Sequence, residues 1–204
     1  MKKMMVALLA GAMLFGLGGI AQATLITNGG FEILGTSIGN GLYTAPGWTI
    51  SDTSNGTGIF TPDPAWNSLG LSSHSGAAFA WGGAYNSAIG SLSQIVSTDA
   101  GQSYVLDFWL ANTGGTPNSF LASWNGNNLV NLSNTSNFTM IKYEFSVVGT
   151  GNDTLKFAFN QEPGAWALDD VSLAPVPEPG TMMLLGVGML GLAVFGKRRM
   201  NKEA

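Results

Sequence analysis

The chain has 204 residues, 10% of them charged, with 29 glycines, six tryptophans and no cysteine. The lack of cysteine excludes a disulfide framework and thiol chemistry, and the abundance of Gly, Ser, Thr and Asn disfavours long helices. Between residues 24 and 176, two lysines stand against ten Asp and Glu side chains, so we expect no nucleic-acid binding, because phosphate backbones repel such a region.

The first residues have the pattern of a secretory signal. Two lysines precede the apolar run 4–20, and Ala21 and Ala23 supply the small residues that signal peptidase reads at a cleavage site. We therefore predict a signal peptide over 1–23, removed by signal peptidase after Ala23. The alternative is a retained membrane helix, which the glycines within the run and the cleavage pattern after it disfavour.

Period-two alternation of apolar residues predicts strands throughout 24–174. The clearest strand is 102–111, in which alternate residues form one apolar face: Tyr104, Leu106, Phe108 and Leu110. The same alternation recurs over 140–148 and 153–161. Shorter apolar runs predict six further strands: 24–27, 47–51, 77–81, 91–96, 119–124 and 166–173. These strands, separated by Gly, Asn, Ser and Pro clusters, predict one all-β domain, an antiparallel β-sandwich or jelly roll.

Several short motifs occur in order along this domain. Residues 25–32 read LITNGGFE, 46–48 read PGW, 92–96 read LSQIV, 101–106 read GQSYVL and 166–173 read WALDDVSL. Together they resemble jelly-roll modules of the galactose-binding-like, carbohydrate-binding kind. That resemblance implies that the first and last strands lie close together and hold a structural calcium ion, with Glu32 and Asp170 as ligands, or Asp169 in place of Asp170.

The residues themselves also favour a cation at this place. Acidic residues from the two ends of the domain, once brought together, repel each other unless a cation offsets their charge, and Ca²⁺ accepts irregular, oxygen-rich sites. The alternative is that no ion binds. In that case Asp169 and Asp170 only cap or end a strand, and Glu32 is solvated. By alternation, adjacent Asp169 and Asp170 point to opposite faces of a strand and are not a matched acid/base pair.

Catalytic groups are scarce in the sequence. The one histidine, His74, lies in the polar stretch SSHSG before a predicted strand, which is typical of a loop. One histidine without cysteine excludes zinc sites of the usual composition, and a Ser-His-Asp triad would have to use His74. We therefore predict no catalytic residue and no enzymatic activity.

Tryptophan is well suited to bind sugar, because its face packs on the apolar side of a sugar ring while polar neighbours bind the hydroxyls. Alternation places Trp109 opposite the Tyr104 and Phe108 face of its strand, and Trp66 lies in the Pro-rich stretch 61–67. We predict both as glycan-binding residues. The alternative for each is a place in the core, since sandwiches bury aromatics on both inner faces.

The C-terminal residues combine three features in order. Pro177, Glu178 and Pro179 precede an apolar stretch, 181–195, and a basic cluster follows it: Lys197, Arg198 and Arg199. A helix over 181–195 is roughly 22 Å long, against ~30 Å for the hydrocarbon core of a bilayer, and is therefore a marginal membrane anchor. The basic cluster predicts a cytoplasmic C-terminus, with the domain outside.

This tail, 175–204, resembles the PEP-CTERM sorting signal. In that family an exosortase, a membrane-embedded enzyme, recognises the tail, and the proteins accompany extracellular polysaccharide production and biofilm formation in Gram-negative bacteria. The resemblance implies transient residence in the inner membrane, processing by the exosortase, and a final place at the cell surface or in the extracellular matrix. A plain tail-anchored protein is the alternative.

Taken together, these features predict an exported, non-catalytic surface or matrix protein whose jelly roll binds glycan, with extracellular polysaccharide as its partner. Two alternatives stay open. One is a structural or adhesive matrix protein that binds no sugar, and the other, less favoured, is a secreted polysaccharide hydrolase. Apart from the calcium ion, we expect no cofactor.

Overall fold

The computed structural model describes residues 24–51, 56–61, 70–83, 89–177 and 185–192. Within these residues the chain forms twelve β-strands and one helix, α1, over 185–192. The strands are β1 (Ser37–Gly39), β2 (Leu42–Tyr43), β3 (Thr49–Ser51), β4 (Thr57–Phe60), β5 (Phe79–Gly82), β6 (Gly90–Ser97), β7 (Ser103–Asn112), β8 (Asn118–Trp124), β9 (Asn127–Ser133), β10 (Ile141–Val148), β11 (Asn152–Gln161) and β12 (Trp166–Pro175).

The strands form two antiparallel sheets. One sheet has seven strands in the order β1-β2-β4-β5-β12-β7-β10, and the other has five in the order β3-β6-β11-β8-β9. From β6 onward the chain passes repeatedly between the sheets, because β7, β10 and β12 belong to the first and β8, β9 and β11 to the second. This arrangement is a jelly-roll sandwich and confirms the predicted all-β fold.

The core lies between the two sheets and is built from alternate residues of the long strands. The predicted apolar face of β7 is buried, and Leu155, Phe157 and Phe159 of β11 are also fully buried. The rings of Phe108 and Phe157 meet edge to face, with centroids 5.1 Å apart. Each fully buried Phe contributes about 1.5–3 kcal/mol, so packing between β7 and β11 is a main contribution to holding the sheets together.

Four strands show no alternation in the sequence and one predicted strand is absent, so the described residues contain twelve strands where the sequence predicts nine. β1, β2 and β4 contain two to four residues each, too few to show a period. β9 reads NNLVNLS, and strands disfavour Asn. All four are formed by pairing with neighbouring strands, which local sequence does not reveal.

The predicted strand 24–27 is wrong, although the segment does lie along the last strand. Its backbone bends and turns. Leu173 N donates to the side-chain oxygen Thr24 Oγ1, whereas in a paired strand it would donate to a backbone carbonyl. Leu25 N donates to Leu173 O at 2.9 Å, and Val171 N donates to Gly29 O at 3.0 Å. A Cβ on Gly29 would lie 2.0 Å from Val171 O, so glycine is what allows this close approach.

Different loops and chain segments lie at the two ends of the sandwich. Val176 N donates to Ser103 O at 2.8 Å, so the beginning of β7 and the exit of the chain after β12 lie together, at the same end as Leu25 and Leu173. We name this the terminal end, and it includes the loops 98–102, 125–126 and 149–151. The opposite end, named the distal end, carries the loops 113–117, 134–140 and 162–165.

Helix α1 lies within the stretch 181–195 that the sequence predicts as a membrane helix. In the part of the chain that the structure describes, no helix has both the length and the apolar character needed to cross a membrane. The predicted signal peptide, 1–23, lies outside the described residues, as does the rest of 181–195.

Candidate functional site

The two aspartates of the closing motif lie at a β-bulge in β12. The register of β12 against β7 shifts between Asp169 and Ser172, and Asp170 has a φ of 46°, in the left-handed region that Asp tolerates better than most residues. Because the bulge interrupts strand alternation, the prediction that Asp169 and Asp170 point to opposite faces is wrong. Both carboxylates contact the loop 74–78.

Asp169 is fully buried and accepts three backbone hydrogen bonds. Its Oδ2 accepts from His74 N (2.7 Å) and Ser75 N (3.2 Å), and its Oδ1 accepts from Asp170 N (2.7 Å). Burial raises the pKa of Asp169 to about 6, and the charge of Asp170 adds to the rise, while the three N–H donors oppose it. The carboxylate therefore carries a desolvated charge that its donors do not fully offset.

Glu32 reaches the same loop from the opening segment of the domain. Its Oε1 accepts hydrogen bonds from Ala77 N and Ala78 N, both at 2.9 Å. Gly76 has a φ of 60°, and a Cβ there would lie 2.2 Å from Glu32 Oε1, so both the backbone conformation and the carboxylate require glycine. Glu32 is exposed, yet the loop fixes its carboxylate in place.

Asp170 contacts side chains of the loop. His74 Nδ1 lies 2.6 Å from Asp170 Oδ2, and Ser75 Oγ donates to Asp170 Oδ1 at 2.8 Å. A Ser-His-Asp triad needs the serine hydroxyl beside the second nitrogen of the imidazole, whereas Ser75 donates to the carboxylate. His74 lies in the turn before β5, as predicted, and these contacts attach that turn to β12.

Trp109 lies on the outer face of the seven-stranded sheet, opposite the buried face of β7, as predicted. The imidazole of His74 stacks on its indole, with ring centroids 3.7 Å apart and planes 12° from parallel. Lys142 lies opposite Trp109 on β10, and its Nζ is 3.0 Å from Glu144 Oε2 and 3.6 Å from Asp107 Oδ2. Trp109 is therefore half-buried among polar groups, and His74 covers one face of its ring.

The donor chemistry around the loop 74–78 suits calcium, which prefers oxygen ligands. Glu32 and Asp169 supply carboxylates, and the raised pKa of Asp169 marks a charge that a cation would offset. Over the described ranges, no three His, Cys, Asp or Glu side chains converge closely enough to hold a metal ion. The residues fit calcium in chemistry, and backbone carbonyls or water would have to supply the other ligands.

Several predicted residues lie outside the described part of the chain: Ala21, Ala23, Trp66, Glu178, Pro179, Lys197, Arg198 and Arg199. Pro177 is exposed and directly follows Val176, which hydrogen-bonds to Ser103 and Gln102 of the sandwich. The contacts of His74 with Asp170 and Trp109 could not be predicted from the sequence. Residues that are 96 positions apart, such as His74 and Asp170, leave no local spacing pattern.

Comparisons with known proteins identify the tail and the fold. Residues 175–199 match the PEP-CTERM protein-sorting motif. The domain is similar to TmCBM61, solved in complex with β-1,4-galactotriose, at 23% identity and a TM-score of 0.52, over 76% of this chain and 99% of that chain. No curated protein matches the sequence.

Two other solved structures are similar in fold. The enzymatically active domain of bacteriophage CBA120 tailspike protein 4 is 16% identical, with a TM-score of 0.52 over 75% of this chain and 21% of that chain. The CBM22-1 xylan-binding domain of Paenibacillus barcinonensis Xyn10C is 14% identical, with a TM-score of 0.49 over 78% of this chain and 97% of that chain. One of these neighbours is enzymatic, so the fold alone does not decide between binding and catalysis.

These findings define the class of the protein. It is a jelly-roll sandwich of the kind found in carbohydrate-binding modules, joined to a PEP-CTERM sorting signal. The sorting motif indicates export to the cell surface or the extracellular space, and it implies processing by an exosortase.

Proposed function

We propose that this protein is a non-catalytic glycan-binding protein of the cell surface or extracellular matrix, associated with extracellular polysaccharide and biofilm. The observation that carries the proposal is the surface around Trp109. There a half-buried indole lies on the outer face of a sheet, among carboxylates, an ammonium group and the hydroxyl of Ser172, which donates to Asp107 Oδ2 at 3.2 Å. Such a combination of an apolar ring with polar neighbours suits a sugar ring and its hydroxyls.

Two further observations support binding without catalysis. The hydroxyl of Ser75 is engaged with Asp170 and not with the imidazole of His74, so the one candidate triad has no activated nucleophile. The similar module TmCBM61 was solved with a galactan oligosaccharide, which makes β-1,4-galactotriose a rational first ligand. The predicted role of Trp66 in the same function remains part of the proposal.

The proposal includes a structural calcium ion beside the loop 74–78. Of the two aspartates we take Asp169 as the ligand, because it is buried and its pKa is raised. The oxygens of both aspartates are engaged, those of Asp169 by three backbone N–H groups and those of Asp170 by the side chains of His74 and Ser75. Glu32 would contribute from the opening segment, since only its Oε1 accepts the N–H groups of the loop. The ion would fasten the first and last segments of the domain to one another.

The test is co-sedimentation of the protein, recovered from the producing cells, with the cells' own extracellular polysaccharide, with and without EDTA. We expect retention, and we expect Trp109→Ala to reduce it while Ile95→Ala, which removes an exposed apolar side chain from the other sheet, leaves it unchanged. The absence of retention in both conditions would overturn glycan binding and favour a structural or adhesive protein. Release of reducing ends from the polysaccharide would instead favour the hydrolase.

A further inference from the structure

The most exposed aromatic side chain in the described residues is not a tryptophan. Phe138, in the loop between β9 and β10, is 60% exposed, whereas His74 covers one face of Trp109. Exposure of a large aromatic ring to water is unfavourable, so a ligand that packs on the ring gains free energy by removing it from water. The distal end of the sandwich therefore offers a ring face that the protein itself leaves open.

Buried asparagine side chains hold the backbone of the loop that carries Phe138. Asn112 is fully buried, and its Nδ2 donates to Thr135 O at 2.8 Å while its Oδ1 accepts from Asn137 N at 2.7 Å. Asn118, also buried, donates to Thr135 O at 2.9 Å. Because these bonds fix the backbone at Thr135 and Asn137, just before Phe138, they reduce the conformational entropy that is lost when a ligand binds.

A pair of glycines, Gly114 and Gly115, belongs to the neighbouring loop, and Gly114 lies close to the ring of Phe138. A Cβ on Gly114 would lie 3.5 Å from Phe138 Cζ and 2.9 Å from Ser136 Oγ, so a side chain there would crowd the loop. Gly114 and the exposed Gly115 both have positive φ, 67° and 87°, which only glycine adopts without strain. Gly114 is buried, and the carbonyls of Gly114 and Gly115 already accept from Gln161 Nε2 and Asn118 Nδ2. The polar group beside the ring that can bind a ligand hydroxyl is therefore the exposed hydroxyl of Ser136.

Unsatisfied polar atoms occur at the same end. Among the described residues, the buried side-chain oxygens without a hydrogen-bond partner are Thr135 Oγ1 and Gln161 Oε1. Gln161 is 1% exposed, and its Nε2 is already used, donating to Thr113 Oγ1 at 2.9 Å and to Gly114 O. Buried polar groups of this kind need a partner from outside the protein, either ordered water or ligand hydroxyls that water connects to them.

We propose that the distal end is a binding site for a neutral glycan, in which a pyranose ring stacks on Phe138 and its hydroxyls bond to the loops 113–117 and 134–140. The inference rests on the proposed glycan-binding function and assigns it a second site, separate from Trp109. Neither loop contains a charged side chain, and the third loop of the distal end adds only Glu162, which would repel an acidic sugar, so the ligand is a neutral glycan. The site also faces away from the sorting tail, which leaves the sandwich at the terminal end beside Ser103.

The experiment is calorimetric titration of the full exported protein and its variants with β-1,4-galactotriose and with oligosaccharides released from the cells' own polysaccharide. Phe138→Ala removes the ring, and we expect it to weaken binding about tenfold or more. Phe138→Tyr keeps the ring and is expected to retain the affinity within about threefold. Ile95→Ala removes an exposed apolar side chain on the other sheet and should leave binding unchanged.

The outcomes separate this site from the general proposal. If Trp109→Ala abolishes binding while Phe138→Ala does not alter it, the distal site is overturned and glycan binding stands. If the wild-type protein binds neither ligand, the proposed function fails and the distal site fails with it. Thermal melting of Phe138→Ala checks that it folds, and retained affinity in Phe138→Tyr confirms that the aromatic ring is what matters.

Discussion

Asp153 and Asp169 are both fully buried, yet their environments shift their pKa values in opposite directions. Burial raises the pKa in each case, because both lose the solvation of the charged form. For Asp153, hydrogen bonds from Thr150, Thr98 and Asn125 outweigh burial and lower the pKa to about 2. For Asp169, three backbone N–H donors do not outweigh it, and the pKa rises to about 6.

The difference lies in the donors and the neighbouring charge. Asp153 accepts from Thr150 N at 2.9 Å, Thr150 Oγ1 at 2.6 Å, Asn125 Nδ2 at 2.5 Å, and from Thr98 Oγ1, so it joins the three loops of the terminal end. Asp169 has fewer donors and a second carboxylate, Asp170, beside it. A fully satisfied buried carboxylate is a structural residue, whereas an under-satisfied one is a candidate ligand.

The largest effect is expected from Asp153→Ala. The change leaves buried donors of Thr98, Asn125 and Thr150 without their acceptor, and unsatisfied buried groups are costly. We expect the free energy of unfolding to fall by about 3 kcal/mol, measured by urea denaturation. The matched control is Asp99→Ala, an exposed acid in a loop of the same end, which should lose less than about 0.5 kcal/mol. Equal losses in the two variants would show that the network of Asp153 adds nothing.

Calcium binding tests the role of Asp169. If calcium binds beside Asp169, the ion at about 100 times its dissociation constant stabilises the folded protein by about 2.7 kcal/mol, seen as a rise in Tm that EDTA reverses. Asp169→Asn and Glu32→Gln should abolish the response, because each replaces a carboxylate ligand with an amide. Asp153→Asn should keep it. A Tm that changes with neither calcium nor EDTA would contradict calcium binding.

Acid should reveal the low pKa of Asp153. Because its folded pKa, about 2, lies below the ordinary 3.8, its contribution is fully present above pH 3.8 and is lost as the pH falls through 2. We expect about 2 kcal/mol of the acid-induced loss in unfolding free energy to come from this group. The measurement compares the pH dependence of wild type with that of Asp153→Asn between pH 5 and pH 2. Parallel curves would contradict the assignment.

The local sequence pattern was sufficient to predict long strands and signals whose residues follow one another in the chain. The strands β7, β10 and β11 were predicted from their alternation, because ten or so residues of period two are readable without knowledge of partners. The alternate apolar residues are buried in β7 and β11, whereas in β10 only Val147 is buried and Ile141 is exposed. The tail could be recognised for the same reason, since Pro177, Glu178 and Pro179, an apolar stretch and a basic cluster follow one another directly.

The candidate sites were less predictable. Glu32, Asp169 and Asp170 could be selected by their motifs, but the bulge that turns both aspartates toward one loop depends on how β12 pairs with β7. The exposure of Phe138 was equally invisible, since it lies in a short polar stretch that no period describes. The stacking of His74 on Trp109 joins parts of the chain that lie far apart in sequence.

The all-β class, the main strand faces and the sorting tail could be predicted from local residue order, because each depends on a window of a few to about 25 residues. The burial of individual carboxylates, the number of donors that each receives and the exposure of aromatic rings follow from tertiary contacts. These properties arise from contacts between distant segments. Their energies depend on the solvent that the fold removes and on the partners that it supplies.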